Sequence, residues 1–282
     1  MTTVQTALPN RYPAKSLEAA LSVRTRPQRP NGFSASLIYA WRALLKIKHV
    51  PMQLFDVTAF PIMSTLLFTY LFGGALAGST DAYLQFLLPG ILAQTVVMIT
   101  MYTALGLNTD ITKGIFDRFR SLPLWGPAVL VGALLADTVR YALAAMVVLV
   151  LGLIMGFDPA GGLTGIIAAL LIILIFSFSL SWVWTVLALL MPTPETVMGV
   201  SMMILFPLTF ISNIFVDPET MPRVLKAFVG INPISHLATA VRGLMHGTST
   251  FEDIVLVLVS SVVLVAVFSP LTMVLYRNKN AH

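Results

Sequence analysis

Six apolar stretches, at 55–72, 83–107, 128–156, 163–191, 197–215 and 254–276, constrain this chain more than any other feature of it. Each is long enough to cross a hydrocarbon core of about 30 Å as a helix. Composition agrees: 57% of the residues are hydrophobic, 10% are charged and the mean hydropathy is +0.88, against about 45–50% apolar in soluble globular proteins. The pattern predicts an all-α integral membrane protein with six transmembrane helices.

Charge then sets the topology. Thirteen of the seventeen lysines and arginines fall in three places: before the first run (Arg11, Lys15, Arg24, Arg26, Arg29, Arg42, Lys46, Lys48), between the second and third (Lys113, Arg118, Arg120), and at the C-terminus (Arg277, Lys279). Six crossings put all three on one side. The opposite loops hold Asp81, Asp158, Asp217, Glu219, Glu252 and Asp253 against only Arg223, Lys226 and Arg242. The excess of bases on inner loops predicts a multi-pass protein of the cell (inner or plasma) membrane with both termini cytoplasmic. The net charge of +5 then needs no nucleic-acid partner, because topology and the anionic headgroups of the bilayer account for it. Residues 1–33 contain no apolar core of a signal peptide, and their prolines and bases predict a flexible, uncleaved cytosolic tail ahead of a transmembrane domain at 34–282. There is no cysteine, which removes disulfides and thiolate metal sites.

Three segments outside the apolar runs carry helical patterns. In 34–53, "SASLIYAWRALLKIKHVPMQ", Leu37, Trp41, Leu44 and Leu45 recur at helical spacing while Arg42, Lys46 and His49 occupy another face. This predicts an amphipathic helix lying in the inner interface, with a basic flank that orients the first span as the simpler alternative. In 109–127, "TDITKGIFDRFRSLPLWGP", Ile111, Ile115, Phe119 and Leu122 share one face and Lys113, Asp117 and Arg120 the opposite one, with Arg118 and Phe116 between. Thr109 or Asp110 offers a cap at its start and Pro123 a stop. Such a helix can be a tether resting on the membrane, or its phenylalanines among charges of both signs can fit a groove on a soluble partner. In 217–253, Pro222, Gly230 and the pair Asn232-Pro233 punctuate two short helices on the outer side, against the alternative of a surface loop with incidental helicity.

Ionisable and polar side chains inside spans are costly and are functional candidates. Asp137 and Arg140, three apart, can form an intramembrane ion pair. Gln94 and Asn213 can line a translocation path or hydrogen-bond a neighbouring helix. The methionines, among them Met98, Met101, Met202 and Met203, can form an adaptable lipophilic surface or ordinary packing. Several chemistries are absent. No G-x-x-x-x-G-K-[ST] loop is present to bind ATP, no HExxH or other weighty histidine spacing points to a metal, and no G-x-S-x-G turn supports acyl transfer. A membrane-bound enzyme should show a cluster of polar catalytic groups at one interface, and the chain has none; a scaffold that binds a cytosolic partner without transport stays open.

Taken in order, the basic amphipathic helix, "KGIFDRFRSLP" at 113–123 and "NPISHLATAVRG" at 232–243 resemble the ABC-2 type permeases, most closely the daunorubicin/doxorubicin-type drug exporters, over about residues 34–276. The resemblance implies a permease subunit of an ATP-driven exporter of a lipophilic drug, antibiotic or lipid-like metabolite, with a polysaccharide or glycolipid as the alternative cargo. It implies a homodimer or a paired permease, docked on two copies of a separate ATPase that holds ATP and Mg, with no cofactor in this chain. The docking (coupling) helix would comprise Lys113, Ile115, Phe116, Asp117, Arg118, Phe119 and Arg120. The interfacial helix with Trp41, Arg42 and Lys46 would lie beside it. The outer helices with Asn232, His236 and Arg242 would cap the export path.

Overall fold

The computed structural model describes residues 51–114 and 128–279. The tail, Trp41, Arg42, Lys46 and the island residues Ile115, Phe116, Asp117, Arg118, Phe119 and Arg120 lie outside the described residues. Among the described residues all regular structure is helical: α1 (Pro51–Ala77), α2 (Thr80–Thr112), α3 (Ala128–Ile154), α4 (Gly162–Leu190), α5 (Pro194–Phe210), α6 (Arg223–Ile231), α7 (Pro233–His246) and α8 (Phe251–Lys279), with a 3-10 turn at Pro218–Thr220. Five of these, α1, α2, α3, α4 and α8, are long and apolar enough to cross a membrane, and α6 with α7, bent by 79°, makes a sixth only if counted as one broken span.

Helix α2 is the axis of the bundle. It packs against α1, α3, α4, α5 and α7, whereas α8 leans on α4 and α7 alone. Accordingly 83% of α2's most apolar stretch is buried but only 11% of α8's, and Val259, Val262, Val263, Val267 and Val274 of α8 face outward. Lipid is as apolar as leucine, so burial by itself drives no association in a bilayer; close packing and interhelical hydrogen bonds do. The latter are concentrated on α2.

Two sequence expectations change. The fifth apolar run predicts a span over 197–215, yet α5 stops at Phe210 after 17 residues, about 25 Å of helix and the short end of what crosses a bilayer. Pro207 lies in its last turn, and the Nδ2 of Asn232 donates to the carbonyls of Leu208 (2.7 Å) and Ile211 (3.0 Å). A donor from elsewhere satisfies what the next helical turn would have satisfied, so the chain is free to leave the helix. Asn213 therefore sits beyond α5. The second change lies at the other end. Thr109 and Asp110 do not begin a new helix but belong to α2, which runs on to Thr112. The Thr109 hydroxyl bonds back to Leu105 O (2.6 Å), and Lys113 caps α2 before Gly114 turns the chain at φ +66°, a conformation glycine adopts without strain.

The short helices after α5 begin and end differently from the sequence reading in one detail. Helix α6 runs past Gly230 to Ile231, and Pro222 precedes its first turn. The Asn232-Pro233 pair starts α7, with Asn232 Oδ1 accepting from Ile234 N (3.0 Å). Helix α7 is pressed onto the α3–α4 connection. Gly161 N donates to Met245 O (2.8 Å), and a Cβ at Gly165 would stand 2.3 Å from Leu244 O, so only glycine permits this approach.

Candidate functional site

An apolar cleft of about 450 Å³ opens between α1, α2 and α5. Its α2 wall is Thr95, Met98, Ile99 and Tyr102, spaced i, i+3, i+4, i+7 on one helix face, with Met101 at the edge. Across from it stand Phe60 and Met63 of α1 and Met202, Phe206 and Phe210 of α5. Phe206 and Phe210 stack with ring centroids 4.3 Å apart. Unbranched thioethers repack around cargo of different shapes, and aromatic faces offer broad apolar area. Only the Thr95 and Tyr102 side chains bring a hydroxyl to this wall. The Thr95 hydroxyl is spent on Ile91 O (2.7 Å).

The opposite flank of α2 is chemically different. Arg140 Nη2 lies 2.9 Å from Asp137 Oδ1, a charge contact without hydrogen-bond geometry at that nitrogen. Both side chains are at most 14% exposed. Thr103 on α2 donates to Asp137 Oδ2 (2.5 Å) and pairs with the Tyr141 hydroxyl (2.7 Å), which meets Ser181 of α4 (2.8 Å). An ionised carboxylate only accepts, so it takes the single Thr103 proton; Tyr141 must then donate to Thr103. One polar seam thus joins α2, α3 and α4. Trp184 Nε1 adds a bond to Thr100 (2.6 Å). Arg140 also faces the Tyr102 ring at 5.9 Å, so the seam backs directly onto the cleft wall.

At the end of the bundle where α5 stops, polar groups sew the chain shut. Arg242 of α7 donates to Phe86 O and to Asn213 O, both at 3.0 Å, with its guanidinium 3.8 Å over the Phe86 ring. Asn213 Nδ2 donates to Thr239 (2.6 Å), and Tyr83 to Phe215 O (2.9 Å). His246 lies 2.9 Å from Gln85 O; a carbonyl only accepts, which puts the proton on Nε2.

The residues singled out in the sequence are thus dispersed. Asp137 and Arg140 meet. Met98, Met101 and Met202 gather in the cleft, whereas Met203 is 79% exposed on another face of α5. Gln94 is buried on α2 but not among the cleft-lining residues, and Asn213 is tied to α7. Asn232 and Arg242 are structural ties of α7, His236 is half-buried there, and Lys113 ends α2. Sequence reasoning missed Thr95, Tyr102, Phe206 and Phe210, and the seam partners Thr103, Tyr141 and Ser181. The polar residues of α2 are spread around its circumference, so periodicity gives no face to prefer. No cluster of His, Asp or Glu among the described residues could hold a metal ion.

Long apolar helices packed side by side, with a lipophilic cleft open between α1, α2 and α5, make this a polytopic membrane protein. The chain belongs to the ABC-2 type transporter family, whose model matches residues 35–246, and it is a permease subunit of an ABC exporter, without an ATP-binding motif of its own. It is similar to the daunorubicin resistance ABC transporter permease protein DrrB1 of Streptomyces coeruleorubidus, 54% identical over 266 residues and 94% of each chain. A probable doxorubicin resistance ABC transporter permease protein, DrrC, of Mycobacterium tuberculosis is 23% identical over 202 residues, 72% of this chain and 73% of that one.

Proposed function

We propose that this permease exports a lipophilic, largely aromatic drug or antibiotic, and that the cleft between α1, α2 and α5 is where the cargo rests. The observation that carries the reading is the lining itself: methionine and phenylalanine from three helices around about 450 Å³, a volume within the range of small-molecule sites, about 300–1,000 Å³. A sugar polymer needs convergent donors and acceptors, and this wall has few. The name of the Streptomyces relative points the same way.

Two copies of a separate ATPase holding ATP and Mg dock on the charged island, through Lys113, Ile115, Phe116, Asp117, Arg118, Phe119 and Arg120. The amphipathic segment with Trp41, Arg42 and Lys46 lies beside them at the inner interface. Two permeases pair, as a homodimer or with a second permease, and α5 serves as the sixth crossing. Helices α6 and α7, with Asn232, His236 and Arg242, cap the outer end, and Gln94 and Asn213 stand beside the path. ATP drives the cycle only insofar as the two conformations differ in affinity for nucleotide and cargo.

The test combines Asp117→Lys, Arg120→Glu and Phe119→Ala in the permease co-expressed with its ATPase. The expected result is loss of co-purification and of ATP-dependent accumulation of daunorubicin inside everted vesicles. Survival of both overturns the docking assignment. Efflux of a labelled oligosaccharide but not of daunorubicin by the wild type overturns the cargo.

A further inference from the structure

We infer that Asn108 is the positioning residue through which movement of the charged island reaches α5, the wall of the cleft. The inference rests on the docking role proposed above. Asn108 is fully buried on α2, five residues before Lys113, or about 8 Å along the helix axis. Its Nδ2 donates to Ala188 O (2.9 Å) and to Met191 O (2.8 Å), carbonyls at the end of α4 that helix geometry leaves without intrahelical partners. One side chain therefore pins the α4–α5 corner to the inner end of α2.

The corner transmits what it receives. It reads Met191-Pro192-Thr193-Pro194, and each residue before a proline is extended, Met191 at ψ 143° and Thr193 at ψ 153°. Proline fixes its own φ and denies the helical region to its predecessor, so few soft torsions remain. Thr193 then caps α5 through Thr196 N (3.3 Å). Beyond that, α5 lies on α2 along a stripe of Val197, Ser201, Leu205 and Thr209, where the buried Ser201 hydroxyl finds no partner. Contacts of α5 with α4 and α7 are sparse. Apolar contact has no preferred direction, so the stripe permits rocking. At the far end the Asn232 amide grips Leu208 O and Ile211 O in the same two-carbonyl manner. Held at its far end by Asn232, α5 tilts when Asn108 drags its near end, and Met202, Phe206 and Phe210 move with it.

The experiment uses the full permease with its ATPase in proteoliposomes. The chain lacks cysteine, so Met146→Cys on α3 and Met203→Cys on α5, exposed by 47% and 79%, carry spin labels that report the α3–α5 distance. Asn108→Ala is expected to keep co-purification and ATP hydrolysis while raising the ATP consumed per cargo exported about tenfold, a typical coupling strength between sites. The ATP-dependent distance change should shrink with it. Asn108→Gln, which retains the amide, should recover part of both readouts. If Asn108→Ala fails to insert, Asn108→Leu fills the volume without donors and decides in its place. Wild-type stoichiometry and distance change in the variant lacking the donors overturn the inference. Failure of the wild-type permease to bind its ATPase is a different result: it removes the docking reading and this inference with it.

Discussion

The two flanks of α2 are built from opposite materials. Toward α3 and α4 it presents Thr100, Thr103 and Asn108, each in a directional bond with another helix or with a side chain on one. Toward α1 and α5 it presents Met98, Ile99 and Tyr102 to an apolar cleft. Hydrogen bonds in a low-dielectric interior have fixed lengths and angles, and a group left unpaired there costs the desolvation it has already suffered. Methionine contact has neither constraint. One flank therefore holds α2, α3 and α4 as a unit, and the other lines an open apolar cleft without directional ties.

The sharpest way to break the comparison is to remove one ion from the seam. Asp137→Ala strands Arg140, which is 6% exposed, and should cost about 3–5 kcal/mol, seen as loss of monodisperse protein in fluorescence-detected size exclusion. Arg140→Met combined with Asp137→Leu should recover much of it, because the pair is then absent rather than half present. Tyr141→Phe removes the hydroxyl between Thr103 and Ser181; a loss of about 0.5–1.5 kcal/mol is expected in thermal unfolding in detergent, since Thr103 keeps Asp137 and Ser181 keeps Ser177 O as partners. On the cleft flank the outcome inverts. Met98→Ala with Met202→Ala should change stability by no more than about 1 kcal/mol, since Met202 is 39% exposed, yet, on the cargo site proposed above, weaken daunorubicin binding about tenfold by fluorescence titration. An equal loss of stability on both flanks would erase the distinction. The smallest effect belongs to Glu219→Gln, which breaks the ion pair with Lys226 at 2.6 Å. With side chains 76% and 47% exposed, it should shift stability by at most about 1 kcal/mol and leave efflux unchanged.

Much of this was legible in the sequence, and the legible part has a common cause. Runs of 18 or more apolar residues are a one-dimensional signal, as are the caps at Asn232 and the i, i+3 spacing of Asp137 and Arg140, because each depends on near neighbours in the chain. The end of α5 was not legible: what stops it is an amide 22 residues beyond its last turn. The end of α2 was misread for a different, local reason. Thr109 looks like a cap by type, but its hydroxyl had a backbone carbonyl within reach one turn back.

By itself, then, the sequence determined that the chain is a polytopic membrane helix bundle, which side its bases favour and which family its motifs resemble. Only the tertiary structure decided which face of α2 lines the cleft and which meets its neighbours. The polar residues of α2, Gln94, Thr95, Thr100, Thr103 and Asn108, are spread around the helix, so its own pattern shows no preferred face. The choice is made by residues far away in the chain, Asp137, Tyr141, Ser181 and Ala188 on one side and Met63, Met202 and Phe206 on the other, and these reach α2 only when the bundle closes.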